Sequence, residues 1–146
     1  MSNELPLGYH YSTVYAGIRK VQKDDLSLIF SEPAANAAAV FTKNLVAAAP
    51  VVLSKASLKS SKGKVRALVI NAGNANCATR TGMKVAETTA KAVAKLAKCA
   101  ANEVLPSSTG VIGVELDVKK ITSSLPALFA RMSPDRFGDV ARAIGE

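Results

Sequence analysis

The chain has 146 residues, a length that fits one domain with a core of its own. Only 5% of its residues are aromatic and Trp is absent, so we expect a core of small side chains. No apolar run reaches the roughly 18 residues of a membrane span, and the N-terminus lacks the basic and apolar pattern of a secretory leader. These features predict a cytoplasmic protein with no membrane partner.

The net charge is +8, and one part of the chain carries the excess. No acidic residue lies between Glu32 and Glu87, whereas the same span contains eight basic residues: Lys43, Lys55, Lys59, Lys62, Lys64, Arg66, Arg80 and Lys84. A nucleic-acid surface, a site for small anions and a surface for an acidic protein are the competing explanations. Because the lysines have no interleaved aromatic residues for base stacking, we favour a solvated surface and predict no nucleic-acid partner.

Strands are predicted in the first half of the chain. Residues 12–20 and 26–32 form a hairpin signal, and residues 38–44 and 49–55 are two further candidates. A loop is expected over residues 57–64. The near-continuous apolar run that follows, over residues 65–73, is typical of a strand covered on both faces.

The hydrophobic period then changes to that of a helix. Apolar residues predict a helix over 84–101, with Asn102 as its left-handed stop. Residues 103–113 are expected to form a short strand that breaks into a turn. Asp117 can cap the next helix, and Pro126 is expected to begin a separate one because proline disrupts a helix interior.

The last predicted helix has Ser133 as its N-cap and Pro134 at its first position. Its expected apolar face consists of Phe137, Val140, Ala141 and Ile144. Strands followed by helices, with one strand–helix–strand unit between them, predict an α/β or α+β fold with a mixed sheet. Since nothing after the last helix covers its apolar face, we interpret residues 1–146 as a single but interrupted domain.

The usual motifs of catalytic and metal sites are absent from the sequence. Neither a G-x-S-x-G nor an H-E-x-x-H motif occurs, nor a phosphate-binding glycine loop. Cys77 and Cys99 lack metal-ligand spacing and are predicted to be free thiols, with no metal bound. The lone histidine, His10, is interpreted as a surface or turn residue, because a catalytic base needs a nucleophile beside it.

An asparagine-rich loop follows the apolar strand. Its candidate substrate-binding residues are Asn71, Gly73, Asn74 and Asn76. Asparagine amides bond to nearby backbone and glycine permits positive φ, so the loop is either a rigid buried turn or the floor of a polar pocket. In the second case it leads to a helix N-terminus that favours an anion.

A second loop, over residues 106–113, places hydroxyl groups beside glycines. Thr109 is followed by Gly110, so a donor side chain and an accessible backbone N–H lie close together. Such donors stabilise the negative charge that develops on a carbonyl oxygen, each typically by about 3 kcal/mol. A tight turn between a strand and a helix would have the same local sequence, and the two interpretations remain open on the residues alone.

The chain resembles the ornithine/glutamate N-acetyltransferases of arginine biosynthesis. The likeness runs from about residue 8 to about residue 144 and includes, in order, AVFTKN leading to AAPV, the N-x-G-N-A-N loop and STGVIG. The resemblance implies a two-chain sandwich of paired sheets with flanking helices. It also implies that acetyl passes from N-acetylornithine to glutamate through an acetyl-threonine.

Within this resemblance, Thr109 and Gly110 correspond to the oxyanion hole of the family, and Asn71 to Asn76 to a loop that frames the pocket. The family precursor cleaves itself, and its nucleophile becomes the first residue of a second chain. The implied partners are therefore a C-terminal β chain, in an assembly of two α and two β chains, and the substrates N-acetylornithine and glutamate. No bound cofactor is implied, although acetyl-CoA is the acetyl donor in some members.

The sequence also departs from the family pattern. The P-N-M-A-T-M motif that contains the nucleophile does not occur in it, and Arg80 stands where relatives typically have glycine. We therefore interpret the chain as an incomplete α-chain portion that is inactive by itself. The alternatives are an inactive remnant or binding protein and, less favoured, a sister amidohydrolase of the same fold.

Overall fold

The computed structural model describes residues 4–145. Its elements are β1 (Tyr9–Val14), β2 (Leu26–Asn36), α1 (Ala49–Ser60), β3 (Lys64–Asn74), α2 (Gly82–Ala97), β4 (Val104–Val111), α3 (Val118–Ala130) and α4 (Phe137–Ile144), with a short 3-10 turn at Ala101–Glu103. The strands form one sheet in the order β1-β2-β3-β4. Its first two pairings are antiparallel and its last is parallel, which confirms the predicted mixed α/β sheet.

Helices pack on both faces of this sheet. Phe30 in β2 contacts Phe129 in α3 with ring centroids 6.3 Å apart, and Tyr11 in β1 contacts Phe137 in α4 at 5.4 Å. Tyr11 pairs with Ile29, the residue before Phe30, and successive residues of a strand point to opposite faces. Helices α3 and α4 therefore lie on opposite faces.

The main core lies between the sheet and helices α2 and α3. It contains the large buried side chains Leu26, Leu28, Val93, Val104, Ile121, Leu125 and Leu128. On the other face of β3, Leu68 and Ile70 are only half-buried. The prediction of a strand covered on both faces is therefore wrong in part, because α4 leaves this area of the second face open.

The two middle strand predictions are wrong. Residues 37–48 form no regular element, and residues 49–55 are the first part of α1, which shortens the predicted loop to residues 61–63. The buried stripe of α1 consists of Pro50, Ser54 and Ser57, which recur at helical spacing. Because this stripe is small and polar, a hydrophobic pattern does not detect it, and the run Val51-Val52-Leu53 imitates a strand.

Two predicted element ends also move. β1 stops at Val14 rather than residue 20, because the chain turns around the buried carboxylate of Asp25. Helix α2 stops earlier than residue 101: Lys98 adopts the left-handed conformation, with φ 54° and ψ 48°, and Asn102 lies in the following 3-10 turn. The prediction of Asn102 as the stop is therefore wrong.

Helix α3 continues through Pro126 instead of ending there. Asp117 caps it as predicted, its side chain accepting a hydrogen bond from Lys119 N. The helix buries Ile121, Leu125 and Leu128, each worth roughly 1.5–3 kcal/mol, which together exceed the roughly 3 kcal/mol cost of an interior proline.

Helix α4 begins at Phe137, so Ser133 is not its N-cap. Ser133 instead pairs with β1, because Tyr11 N–H donates to Ser133 O at 2.9 Å and Ser133 N–H donates back to Tyr11 O at 3.0 Å. Val140 and Ala143 are the buried residues of α4, whereas Ala141 is exposed, contrary to the prediction.

Candidate functional site

The two loops selected from the sequence are the ends of two neighbouring strands. In the β3–β4 pairing, Asn71 lies opposite Ser108, Gly73 opposite Gly110, and Asn74 opposite Val111. Since the two strands are parallel, their carboxyl ends meet at the same edge of the sheet. Helix α2 connects the strands, and the fold thus brings together residues that lie far apart in the sequence.

The asparagine side chains bond to the backbone of these strand ends. Asn71, Asn74 and Asn76 are at most 5% exposed. The Asn71 amide donates to Asn74 O at 2.8 Å and accepts from the Ser108 hydroxyl at 2.5 Å. The Asn74 amide donates to Val114 O at 2.9 Å and accepts from Asn76 N–H at 2.8 Å. These bonds are those of a rigid turn, and contact of the asparagines with a substrate stays a prediction.

Two glycines allow three chain segments to touch beside these amides. Gly110 has φ +132°, and a Cβ atom there would lie 2.3 Å from the carbonyl carbon of Gly73. Gly73 has φ +100°, and a Cβ atom there would lie 2.7 Å from Cγ of Arg19. Both positions require glycine, because a side chain would collide with its neighbour and would have to adopt a disfavoured backbone conformation.

The backbone N–H of Gly110 points away from the sheet. β4 is an edge strand among the described residues, and Val111 faces β3 because its carbonyl accepts from Ala75 N–H at 2.8 Å. The backbone groups of successive residues in a strand point alternately to its two sides. The N–H of Gly110 is therefore directed outwards, where the ladder to β3 does not use it.

An open cavity of about 450 Å³ borders this edge. The residues that line it are Arg19, Gly73, Thr109, Gly110, Val111 and Ile144. Thr109 is exposed, and its neighbour Gly110 supplies the outward N–H. The proposed pair of donors thus borders a space that can hold a small molecule.

The N-terminus of α2 binds a carboxylate of the protein itself. Glu115 accepts from Arg80 N–H at 2.7 Å, from Thr81 N–H at 3.3 Å and from the Thr81 hydroxyl. The Thr81 hydroxyl and the backbone N–H of Arg80 lower the pKa of Glu115. The helix N-terminus predicted to favour an anion therefore holds the carboxylate of Glu115. Arg80 donates its backbone N–H to this carboxylate, and its positive charge also lowers the pKa of Glu115.

Arg19 and Asp25 belong to the site and were not found from the sequence. The buried Asp25 carboxylate accepts from the backbone N–H of Ala16 at 2.7 Å, of Ile18 at 2.6 Å and of Arg19 at 2.8 Å. This turn places Arg19 against Gly73 and beside the cavity. Asp24 and Asp25 are typical turn residues, and only the position of Asp25 directly before an apolar strand could have identified it from the sequence.

The remaining candidate groups lie elsewhere. His10 is in β1, at the edge of the sheet opposite β4, and is not among the residues that line the cavity. Cys77 and Cys99 are free thiols, as predicted. Within residues 4–145, no three His, Cys, Asp or Glu side chains lie close enough together to hold a metal ion.

Comparison with known proteins identifies the family of the chain. The model of the ArgJ family matches residues 10–145, nearly the whole chain. The chain belongs to the ArgJ family. This confirms the resemblance described above for the ornithine/glutamate acetyltransferases of arginine biosynthesis.

Several curated ArgJ proteins are similar in sequence. The arginine biosynthesis bifunctional protein ArgJ of Chlorobaculum tepidum is 44% identical over 140 residues, which is 95% of this chain and 34% of that protein. The protein of the same name from Caldanaerobacter subterraneus is 45% identical over 142 residues, which is 97% of this chain and 34% of that protein. The chain thus spans about a third of the length of the curated ArgJ relatives that it matches.

Solved ArgJ structures share the fold. The ArgJ crystal structure from Bacillus halodurans has a TM-score of 0.86 and 31% identity, and covers 94% of this chain and 72% of its own. The Mycobacterium tuberculosis ornithine acetyltransferase, solved with ornithine, has a TM-score of 0.88 and 35% identity, and the match covers 95% of this chain and 76% of that one.

Among the described residues, no helix is both long and apolar enough to span a membrane.

Proposed function

We propose that this chain is the N-terminal part of a glutamate/ornithine N-acetyltransferase and supplies its oxyanion hole. A threonine hydroxyl outside this chain attacks the acetyl carbonyl of N-acetylornithine, and the amine of ornithine leaves. The amine of glutamate then attacks the acetyl-threonine, which releases N-acetylglutamate and regenerates the hydroxyl. In each step the carbonyl oxygen becomes negative, and Thr109 and Gly110 donate hydrogen bonds to it. Acetyl-CoA is a second candidate donor of acetyl.

The outward N–H of Gly110, beside Thr109 at the cavity, carries this proposal. An oxyanion is stabilised by donors that are fixed before the reaction, since they then need no reorganisation in the transition state. The position of Gly110 is fixed on both sides, by the contact with Gly73 and by the bond from Ala75 N–H to Val111 O. Removal of one such donor typically lowers kcat by about 10²–10³-fold.

The rest of the protein is proposed to supply the nucleophile and to cover the open surface beside the cavity. Val111, Ile112 and Val114 are 54%, 67% and 54% exposed, and they continue from the unpaired edge of β4. An apolar edge strand of this kind is suited to pair with another strand. Since the curated relatives are about three times longer, we propose their remaining part, which includes the β chain after self-cleavage, as the occupant. Two copies of each chain would form the complete enzyme in the cytoplasm.

A chimaera tests the function. This chain would replace the matching third of the Chlorobaculum tepidum protein, and acetyl transfer from N-acetylornithine to glutamate would be measured. We expect transfer by the chimaera. Thr109→Val should lower kcat by about 10²-fold with little change in KM, whereas Thr109→Ser, which keeps the hydroxyl, should remain within a few-fold of the parent.

Gly110 itself is a poor position for this test, because any side chain there collides with Gly73 and disturbs the strand pairing. Full kcat in Thr109→Val would remove the threonine hydroxyl from the mechanism. A folded chimaera without acetyl transfer would instead favour the alternative of an inactive remnant or binding protein.

A further inference from the structure

We infer that Arg19 binds a substrate carboxylate in the cavity beside Thr109 and Gly110, which makes it a specificity residue. The inference rests on the proposed function, since both N-acetylornithine and glutamate have carboxylates. Among the described residues that line the cavity, Arg19 has the one ionisable side chain, and no acid lines it. A planar guanidinium matches a carboxylate with two parallel hydrogen bonds.

The backbone of Arg19 is fixed before any ligand arrives. Its N–H donates to the buried carboxylate of Asp25 at 2.8 Å, and its Cα and Cγ lie close against Gly73. Gly73 is paired with Gly110 in the sheet, so Arg19 and the proposed oxyanion donors are held by the same strand end. A fixed distance between a carboxylate site and the reacting carbonyl is what positions a substrate for attack.

The present partners of the guanidinium are weak ones. Nη1 and Nη2 both donate to Gly145 O at 3.2 Å, and Nη2 also donates to Ile144 O at 3.4 Å. Hydrogen bonds from a guanidinium to a carboxylate are shorter, at about 2.7–2.9 Å, and roughly twice as strong as those to neutral oxygens. A carboxylate that enters the cavity would therefore form better bonds than those it displaces.

Lys23 provides a matched control for these contacts. Its Nζ donates to the same Gly145 carbonyl at 2.7 Å, but Lys23 is not among the residues that line the cavity. Lys23→Gln thus removes one positive charge and one bond to Gly145 without changing the cavity. Any effect confined to Arg19 must come from the side that faces the cavity.

The experiment measures KM and kcat for both substrates in the chimaera and in its Arg19→Gln, Arg19→Lys and Lys23→Gln variants. Loss of a hydrogen bond to a charged group corresponds to an increase in KM of roughly tenfold to a hundredfold. We expect an increase of that size in KM for at least one substrate in Arg19→Gln, a smaller increase in Arg19→Lys and none in Lys23→Gln. Thermal unfolding of each variant shows that it is folded.

The two proposals fail in different ways. If the parent chimaera transfers acetyl and Arg19→Gln leaves both KM values unchanged, Arg19 does not bind substrate, although the proposed function stands. Equal increases in Arg19→Gln and Lys23→Gln would assign the effect to the Gly145 contact and would also overturn the inference. A parent chimaera that is folded but transfers no acetyl would overturn both.

Discussion

Asn74 joins the two strand ends of the candidate site through a single side chain. It is 5% exposed, and its amide binds Val114 O and Asn76 N–H. Asn74→Ala leaves both backbone groups without this partner, and a buried unsatisfied group costs about 1–3 kcal/mol. We expect the free energy of unfolding, measured by urea denaturation, to fall by about that amount.

Asn44 is the control for this change. It is exposed, and its side chain accepts one local bond from Val46 N–H at 3.0 Å. Asn44→Ala should change the free energy of unfolding by less than about 0.5 kcal/mol, as surface substitutions usually do. Similar losses in the two variants would mean that the buried amide network does not hold the strand ends.

At this scale, the residues that the sequence identified have unusual local chemistry. Polar residues beside a glycine are unusual in a strand of any fold, and both the asparagines around Gly73 and the Thr109–Gly110 pair have this pattern. Arg19 and Glu115 do not stand out, because their importance depends on distant partners. Glu115, for example, binds a helix N-terminus 34 and 35 residues before it in the chain, and such a contact exists only after the crossover has folded.

At the scale of elements, Glu115 ties the segment after β4 to the start of α2. Hydrogen bonds from Thr81 and Arg80 lower its pKa in the folded chain. A lowered folded pKa means that the contribution to stability is present above the unfolded pKa, about 4.3 for Glu, and is lost as the pH falls through the folded value. Glu115→Gln should therefore lower Tm at neutral pH, and the difference should vanish in acid.

Glu87 offers a comparison within the same helix. It lies in α2, and its side chain is exposed. Thermal unfolding of Glu87→Gln over the same pH series should follow the parent chain closely. If the Tm of Glu115→Gln equals that of the parent at neutral pH, the carboxylate does not stabilise the helix start.

Helices and strands were predictable from the sequence where their buried residues are apolar. β2 and β3 contain apolar runs and α2 has a helical apolar period, and all three were predicted correctly apart from their ends. α1 buries Pro50, Ser54 and Ser57, and the Ser54 hydroxyl donates to Pro106 O at 2.9 Å. The polar group that α1 buries at Ser54 is thus hydrogen-bonded to β4. Because the buried residues of α1 are not hydrophobic, no hydrophobic period could predict this helix.

At the scale of the whole molecule, the basic residues do not gather at the cavity. Of the eight in the span without acids, seven are exposed and spread over residues 43–84. The eighth, Arg66, is half-buried and lies over the ring of Phe30, 5.1 Å from its centroid. This distribution agrees with the solvated surface favoured from the sequence.

The open edge of β4 is the proposed contact between this chain and the rest of the protein. Ile112 is 67% exposed just beyond the strand, where the remaining part of the enzyme is proposed to pack. A lysine there would have to lose its hydration in the assembled enzyme, whereas in the chain alone it would remain in water. Ile112→Lys should therefore leave the unfolding of this chain unchanged but prevent its co-purification with the rest of the Chlorobaculum tepidum protein.

Val21 distinguishes a loss of assembly from a general effect of added charge. It is 71% exposed, close to the value for Ile112, but lies in the β1–β2 connection away from the edge of β4. Val21→Lys should co-purify as the parent chain does. Because the two variants add the same charge at similar exposure, assembly lost only in Ile112→Lys would locate the interface at β4. Assembly retained in both would place the remaining part of the protein elsewhere, and the threonine nucleophile proposed to lie in that part would then not reach Thr109 and Gly110 by this edge.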